Sequence, residues 1–417
     1  MNRKHFARKL FIVATLVLAV AVLVAACGGV GGPSAAACKV KIVSSLPMQG
    51  GAKAQTDTMI NSIKMALEDH GAKSKDGKCT VEYLPWDDAS AALGQWDPAV
   101  ETANANKAVA DPEVLAYLGT YNSGAAKLSI PILNQAGPLV MVSPANTYPG
   151  LTKTNGAEAG EPAKYYPTGV RNYARVVPAD DIQGAVGARW YKDLGLASVY
   201  ILNDQQLYGK GVADVFEAEA KKIGLEVKSN EGIDTKATDY SALATKIANS
   251  GAASVYFGGI ESNHPGLVLK ALRAAGWKGQ FGGPDGIFTT SVIQEAGSDA
   301  EGMIATAGGL PPAEIAKASP AGQKWLDDYR KKFNSDPEFY ATYAYETMNV
   351  LLAALDRCSA KGTVTRACMR DETFATKDFN GMLGATWSFD ANGDTTLTTM
   401  SANIVKDGKW SFISPLK

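Results

Sequence analysis

Histidine is nearly missing from this chain: three in 417 residues. His5 sits in a basic leader, so only His70 and His264 remain for the working protein. That leaves almost nothing for a His-built zinc site or a Ser-His-Asp relay. Surplus positive charge is missing as well, with 41 Lys and Arg against 42 Asp and Glu. Arg3, Lys4, Arg8 and Lys9 stand in residues 1–26 without any acid, which leaves 37 basic against 42 acidic beyond them. A weakly acidic body argues against nucleic-acid partners, because phosphate neutralisation needs clustered Lys and Arg. G-x-x-x-x-G-K-[ST], H-E-x-x-H and G-x-S-x-G are all absent, and the Gly-Gly pairs at 258–259, 282–283 and 308–309 form no G-x-G-x-x-G. No repeat of 20–50 residues is visible, which argues against a solenoid or propeller. Nothing here speaks for catalysis, a cofactor or a metal.

What is present begins with the leader. Residues 1–9 are basic and 10–26 carry no charge, the layout of a secretory signal. Seventeen such residues are at the short limit for spanning a bilayer, so an uncleaved anchor is the competing reading. Val24-Ala25-Ala26-Cys27-Gly28 favours export, since small residues before a Cys at the end of the apolar run resemble the bacterial lipobox. Cys27 is then the lipidated N-terminus, and 27–37 (CGGVGGPSAAA) is a tether with a mean reach of about 15–20 Å. The chain is expected to be exported, in the periplasm or held by lipid on the outer face of the cell membrane. Setting Cys27 aside leaves four cysteines, an even number that suits an oxidising compartment. Cys38 and Cys79 each precede a predicted strand, and Cys358 and Cys368 bracket a short segment with a glycine. Pairing 38 with 79 and 358 with 368 is favoured among three connectivities, against four reduced thiols.

The body alternates β-branched runs with helical patterns, which predicts βαβ units and parallel sheets. Strands are expected at 40–44, 114–118 and 139–142, with helices over 56–69, 97–110 and 125–135. The same grammar restarts after Pro178, with strands at 198–202, 225–227, 254–257 and 280–282. Helices at 322–333 and 338–355 precede a strand-rich end. Residues 148–173, rich in Gly, Pro and Lys, read as a loop insertion too polar and broken to join the core.

Small polar residues cluster at the carboxyl ends of these strands, where open α/β sheets bind ligands. Gly119–Gly124 (GTYNSG) and Ser143–Thr147 (SPANT) offer hydroxyls and free N–H groups near helix starts, a setting that suits a carboxylate. Ser123 and Thr147 read equally well as helix caps. Tyr208, in NDQQLYGKG, is a ring able to close over a ligand or simply a packed turn aromatic. Asp285, in GGPDG, is a carboxylate for an ammonium or a turn former bonding its own backbone.

SPANTYPGLT (143–152), NDQQLYGKGVAD (203–214), VYFGGIESNHPGLVLKALRAAG (255–276), GPDGI (283–287) and ATYAYETMNVL (341–351) occur in an order that resembles the leucine/isoleucine/valine-binding proteins, over essentially all of 38–417. Those are substrate-binding subunits of ABC importers for branched-chain amino acids. The resemblance implies a type I periplasmic-binding fold, two Rossmann-like lobes with parallel-core sheets and three hinge crossovers. It divides the chain into 38–179 with 307–380 as lobe one, and 180–306 with 381–417 as lobe two. It implies that Ser123, Ala145 and Thr147 hold the ligand's α-carboxylate and part of its ammonium. Tyr208 then closes over the ligand, Asp285 pairs with the ammonium, and Asp180 lies at the first crossover near it. An ABC permease and its ATPase subunits are the implied partners. The chain departs from the pattern at Asp285, where relatives often carry the longer Glu, at Gln55 and Ile260, often aromatic, and at Gly124, in place of a Ser. A different amino acid, an amide or a urea-type ligand stays open, as does a ligand sensor of the same fold.

Overall fold

The computed structural model describes residues 38–417. The leader 1–26, Cys27 and the rest of the tether lie outside the described residues. The first lobe is built from β1 (Cys38–Leu46), α1 (Lys53–Asp69), β2 (Cys79–Asp87), the short pair β3 (Ala89–Ser90) and β4 (Gln95–Trp96), α2 (Pro98–Ala110), β5 (Val114–Gly119), α3 (Ser123–Asn134), β6 (Val140–Ser143) and β7 (Tyr173–Arg175). Its sheet runs β2-β1-β5-β6-β7, with β1, β5, β6 and β7 parallel. β5 is buried along its whole length, as a parallel strand covered on both faces must be. Local chemistry sets the helix ends: Asp97 caps α2 by accepting from the Ala99 N–H at 2.8 Å, with Pro98 at the first helical position.

The second lobe follows with α4 (Asp180–Asp193), β8 (Ser198–Asn203), α5 (Leu207–Lys222), β9 (Glu226–Gly232), α6 (Ser241–Asn249), β10 (Ser254–Gly258), α7 (Pro265–Ala274), β11 (Gln280–Gly283), α8 (Thr290–Ala296) and β12 (Ile304–Gly308). The chain then crosses back: α9 (Pro312–Ala318), α10 (Pro320–Phe333), α11 (Ala341–Ala360) and α12 (Arg366–Phe374), where α11 packs on α1 and α12 on β5 and β6. The small pair β13 (Phe379–Asn380) and β14 (Thr386–Trp387) leads to β15 (Met400–Lys406) and β16 (Lys409–Leu416). These last two complete the second sheet, β16-β15-β12-β11-β10-β8-β9, in which β15 is antiparallel to β12. The architecture is the type I periplasmic-binding fold, two parallel-core lobes joined by three crossovers.

Each lobe has its own core. Tyr117, Ile130, Leu133 and Met141 anchor the first, and Tyr191, Ile201, Phe216 and Tyr256 the second. The Phe216 and Tyr256 rings stack at 3.9 Å. Cys358 bridges to Cys368, tying α11 to α12. Cys38 and Cys79, which open the neighbouring strands β1 and β2, are disulfide-bonded too; with the other two cysteines among the described residues joined to each other, these two make the second bridge.

Two expectations need correcting. The 148–173 segment is no surface insertion, because Tyr148, Leu151, Tyr165, Tyr166 and Tyr173 belong to the first lobe's core. Its polar stretches hid apolar rings whose hydroxyls are satisfied inside: Tyr148 and Tyr165 both donate to Glu161, and Tyr166 donates to the Leu151 carbonyl at 2.7 Å. The move into the second lobe also does not occur at 381. Trp387, buried on α11, donates from its indole to Glu346 at 3.0 Å, and Asp394 pairs with Arg175 of β7 at 2.7 Å. Residues 381–394 therefore lie against the first lobe.

Candidate ligand-binding cleft

Register places the site. Ser45 pairs with Gly119, Leu118 with Val142 and Ser143 with Arg175, so the carboxyl ends of β1, β5, β6 and β7 meet at one edge of the first sheet. The loops leaving β5 and β6 are stitched together there. Ser143 donates its hydroxyl proton to the Thr120 carbonyl at 2.8 Å and accepts from the Asn146 N–H at 2.8 Å. The Asn146 amide donates to the carbonyls of Thr120 and Tyr121, both at 2.9 Å. Ser123, first residue of α3, accepts from the N–H groups of Thr147 and Tyr148, each at 3.3 Å. A locked pair of loops presents its groups with little left to reorganise.

Asp180 opens α4 at the crossover, where its N–H donates to the Thr147 carbonyl at 2.8 Å. Its carboxylate is fully buried beside the Thr147 hydroxyl, which favours its charged form. From the second lobe, Asp285 follows β11 in a single 3-10 turn. It accepts from Tyr208 at 2.9 Å and from Tyr340 at 2.5 Å. Tyr208 accepts in turn from the Gly286 N–H at 2.9 Å. Gly286 has to be glycine, since a Cβ there would stand 2.4 Å from the Gly259 carbonyl oxygen and 2.8 Å from the Tyr208 ring.

Ser123, Ala145, Tyr208 and Asp285 thus meet around one cavity of about 20 Å³, joined by Tyr121, Asn122, Ile260 and Tyr340. Thr147 and Asp180 stand behind this lining, tied to it through Ser123 and through each other. The cavity has room for about one water, so an amino acid enters only when the lobes part. They are shut across the cleft by Tyr340 on Asp285, by Tyr121 on Glu261 at 3.3 Å, and by the Trp96 indole on Gln206 at 3.2 Å. Gly124 makes room for that indole: a Cβ at 124 would lie 2.6 Å from the Trp96 ring.

Sequence reasoning missed Tyr121, Glu261 and Tyr340. Tyr340 stands one residue before the ATYAYET segment, and its backbone N–H is held by the Gln55 side chain at 3.1 Å. Gln55, noted only as a substituted wall position, is therefore what fixes Tyr340 in place.

The electrostatics of the cleft are one-sided. Burial raises the carboxyl of Asp180 well above its ordinary range, and the Asp285 charge adds to the rise. Burial also raises Asp285, against the opposing hydrogen bonds from Tyr340 and Tyr208. Glu261 is pushed up to about 7, mainly by burial. A carboxyl raised on folding binds its proton more tightly in the folded chain. Its contribution to stability is full below the unfolded value near 4 and fades as pH rises through the folded one. The unliganded protein should therefore melt at a higher temperature at pH 5 than at pH 7.5, with a smaller difference in Asp285→Asn; an equal or reversed order in a thermal-shift titration would contradict these assignments.

Two parallel-core lobes whose strand-end loops face each other across a narrow cleft define a two-lobed binding protein. The chain belongs to the periplasmic binding protein family, whose model matches residues 39–409. It is 29% identical over 377 residues to the leucine-, isoleucine-, valine-, threonine- and alanine-binding protein of Pseudomonas aeruginosa, covering 88% of this chain and 90% of that one. Leu/Ile/Val-binding protein homolog 2 of Brucella abortus is 28% identical over 358 residues, covering 84% and 86%. Among solved structures, a leucine-binding protein from Thermotoga maritima superposes with a TM-score of 0.78 at 26% identity, covering 91% of this chain and 99% of that one. A solute-binding protein from R. palustris in complex with benzoate shares the fold at a TM-score of 0.74 and 16% identity, over 90% and 96%. The fold by itself does not choose the ligand.

Proposed function

We propose that this protein is the extracytoplasmic substrate-binding subunit of an ABC importer, capturing an amino-acid zwitterion between its lobes and handing it to a permease. The observation that carries the reading is the buried Asp285 carboxylate of the second lobe, facing Ser123 and Ala145 of the first around one cavity, with Asp180 and Thr147 buried behind that lining. A zwitterion satisfies both halves at once, and it does so only when the lobes are shut. That differential affinity is what shifts a hinge equilibrium. The relatives from Pseudomonas aeruginosa and Brucella abortus are named for amino acids, which supports the same handle. The lipobox reading of Cys27 places the protein on the outer face of the membrane, within reach of the permease. No helix among the described residues is long and apolar enough to cross a membrane.

Titration calorimetry of the soluble body with amino acids tests the reading, and uptake by cells lacking the gene separates transport from sensing. Thr147→Val is the diagnostic variant. Its hydroxyl borders the Asp180 carboxyl and favours that group's charged form, so the methyl should change the unliganded melting temperature only slightly. Losing a hydrogen bond to a charged ligand group should weaken binding by about 10- to 100-fold, from about 1.5–3 kcal/mol. Unchanged affinity would remove Thr147 from the site.

A further inference from the structure

Beyond the amino-acid handle, the cleft holds a carboxylate that the handle does not use. Glu261 follows β10, is 5% exposed, and accepts from the hydroxyls of Tyr121 at 3.3 Å and Ser262 at 3.2 Å and from its own backbone N–H. It stands between two spaces. Through Tyr121 it touches the 20 Å³ cavity beside Asp285, and it lines a second pocket of about 210 Å³ between Gly51 and Leu93 of the first lobe and Ser262, Ser291 and Glu295 of the second. The basic side chain lining that second pocket is His264, which is engaged by Glu295 at 2.8 Å. A buried carboxylate with no counter-charge is costly to keep. Asn122 adds a second acceptor to the cavity: its side-chain oxygen is buried and unpartnered. Between Asp285 and Glu261 run the rings of Tyr340 and Tyr121, set edge to face at 6.0 Å, with Ile260 beside them. Those walls suit methylene groups, and the groups beyond them suit a donor.

We infer that Glu261 is a specificity residue of the cleft, receiving a positively charged nitrogen at the far end of the ligand's side chain, which makes the ligand a basic α-amino acid. This rests on the amino-acid reading of the site and departs from the uncharged side chains of the amino acids for which the relatives are named. Burial brings the Glu261 carboxyl to about 7, so an arriving cation ionises it at little cost near neutral pH.

The test is calorimetry at pH 7.5 with ornithine, lysine and arginine, each against its neutral counterpart, norvaline, norleucine or citrulline, and with leucine, isoleucine and valine. At least one basic ligand should bind 100-fold or more tighter than its counterpart. Glu261→Gln should shrink that gap at least tenfold. If the neutral or branched-chain ligands bind as tightly as every basic one, the inference falls even if Glu261→Gln cannot be purified, and it falls as well if the gap survives in that variant. Leucine bound as tightly as every basic ligand, and weakened by Asp285→Asn, would leave the amino-acid reading standing while overturning the role of Glu261. Binding of no amino acid at all would overturn both.

Discussion

Asp285→Asn should weaken amino-acid binding by about 30- to 4,000-fold, with the unliganded melting temperature unchanged or raised. The first figure follows from removing one partner of a desolvated charge pair, about 2–5 kcal/mol, at about 1.4 kcal/mol per tenfold. The second follows from the unliganded site. There Asp285 is a fully buried carboxylate with Tyr208 and Tyr340 as its donors and the Asp180 charge nearby. Asn keeps an acceptor for one hydroxyl, and its amide donates to the other. The like-charge repulsion with Asp180 disappears. Affinity and stability are therefore expected to move independently, which a merely structural Asp285 would not allow. Equal calorimetric affinities for the two proteins would sink its assignment as the ammonium partner. Proton release gives a second readout. Binding of a cation lowers the raised carboxyls, so wild-type binding should release protons at pH 6, and Asp285→Asn should release fewer.

The parts of this site that could be read from the sequence are those made within one strand-loop-helix unit. GTYNSG, SPANT and GPDG each carry their chemistry where a β-strand ends, and the sheet registers gather those ends without long-range information. Asp180 came only from the family resemblance, which sets it at the first crossover. Tyr340, Tyr121 and Glu261 could not be read, because each acts only across the cleft. Tyr340 precedes a helix of the first lobe and bonds an acid 55 positions earlier in the second. Tyr121 meets Glu261 across 140 positions. No periodicity marks such pairs. Composition misled in 148–173, where Gly, Pro and Lys outnumber the rings that enter the core. It misled again in 381–394, where Trp387 and Asp394 draw a turn-rich segment back to the first lobe.

That second segment holds the other large effect. Asp394→Ala should cost about 3–5 kcal/mol, because it strands Arg175, a guanidinium with no exposed surface. Arg175 bonds Asp394 at 2.7 Å and also donates to the Tyr148 carbonyl at 2.8 Å and to the Thr152 hydroxyl. It therefore clamps the last crossover to the loop that follows Thr147. Burial alone would raise the Asp394 carboxyl, but the Arg175 charge outweighs it and holds the group below its ordinary value. A lowered carboxyl stabilises the fold above its unfolded value and loses that contribution as pH falls through the folded one. Its sign is opposite to that of Asp180 and Asp285, so the variant's deficit should be full at pH 7.5 and shrink towards pH 3. At roughly 2 °C per kcal/mol for a body of this size, the neutral-pH melting temperature should fall by about 6–10 °C. Replacing both partners, Arg175→Met with Asp394→Leu, removes the stranded charge and should recover most of the loss. A double variant no more stable than Asp394→Ala alone would mean that the backbone contacts of Arg175, rather than the ion pair, hold the crossover.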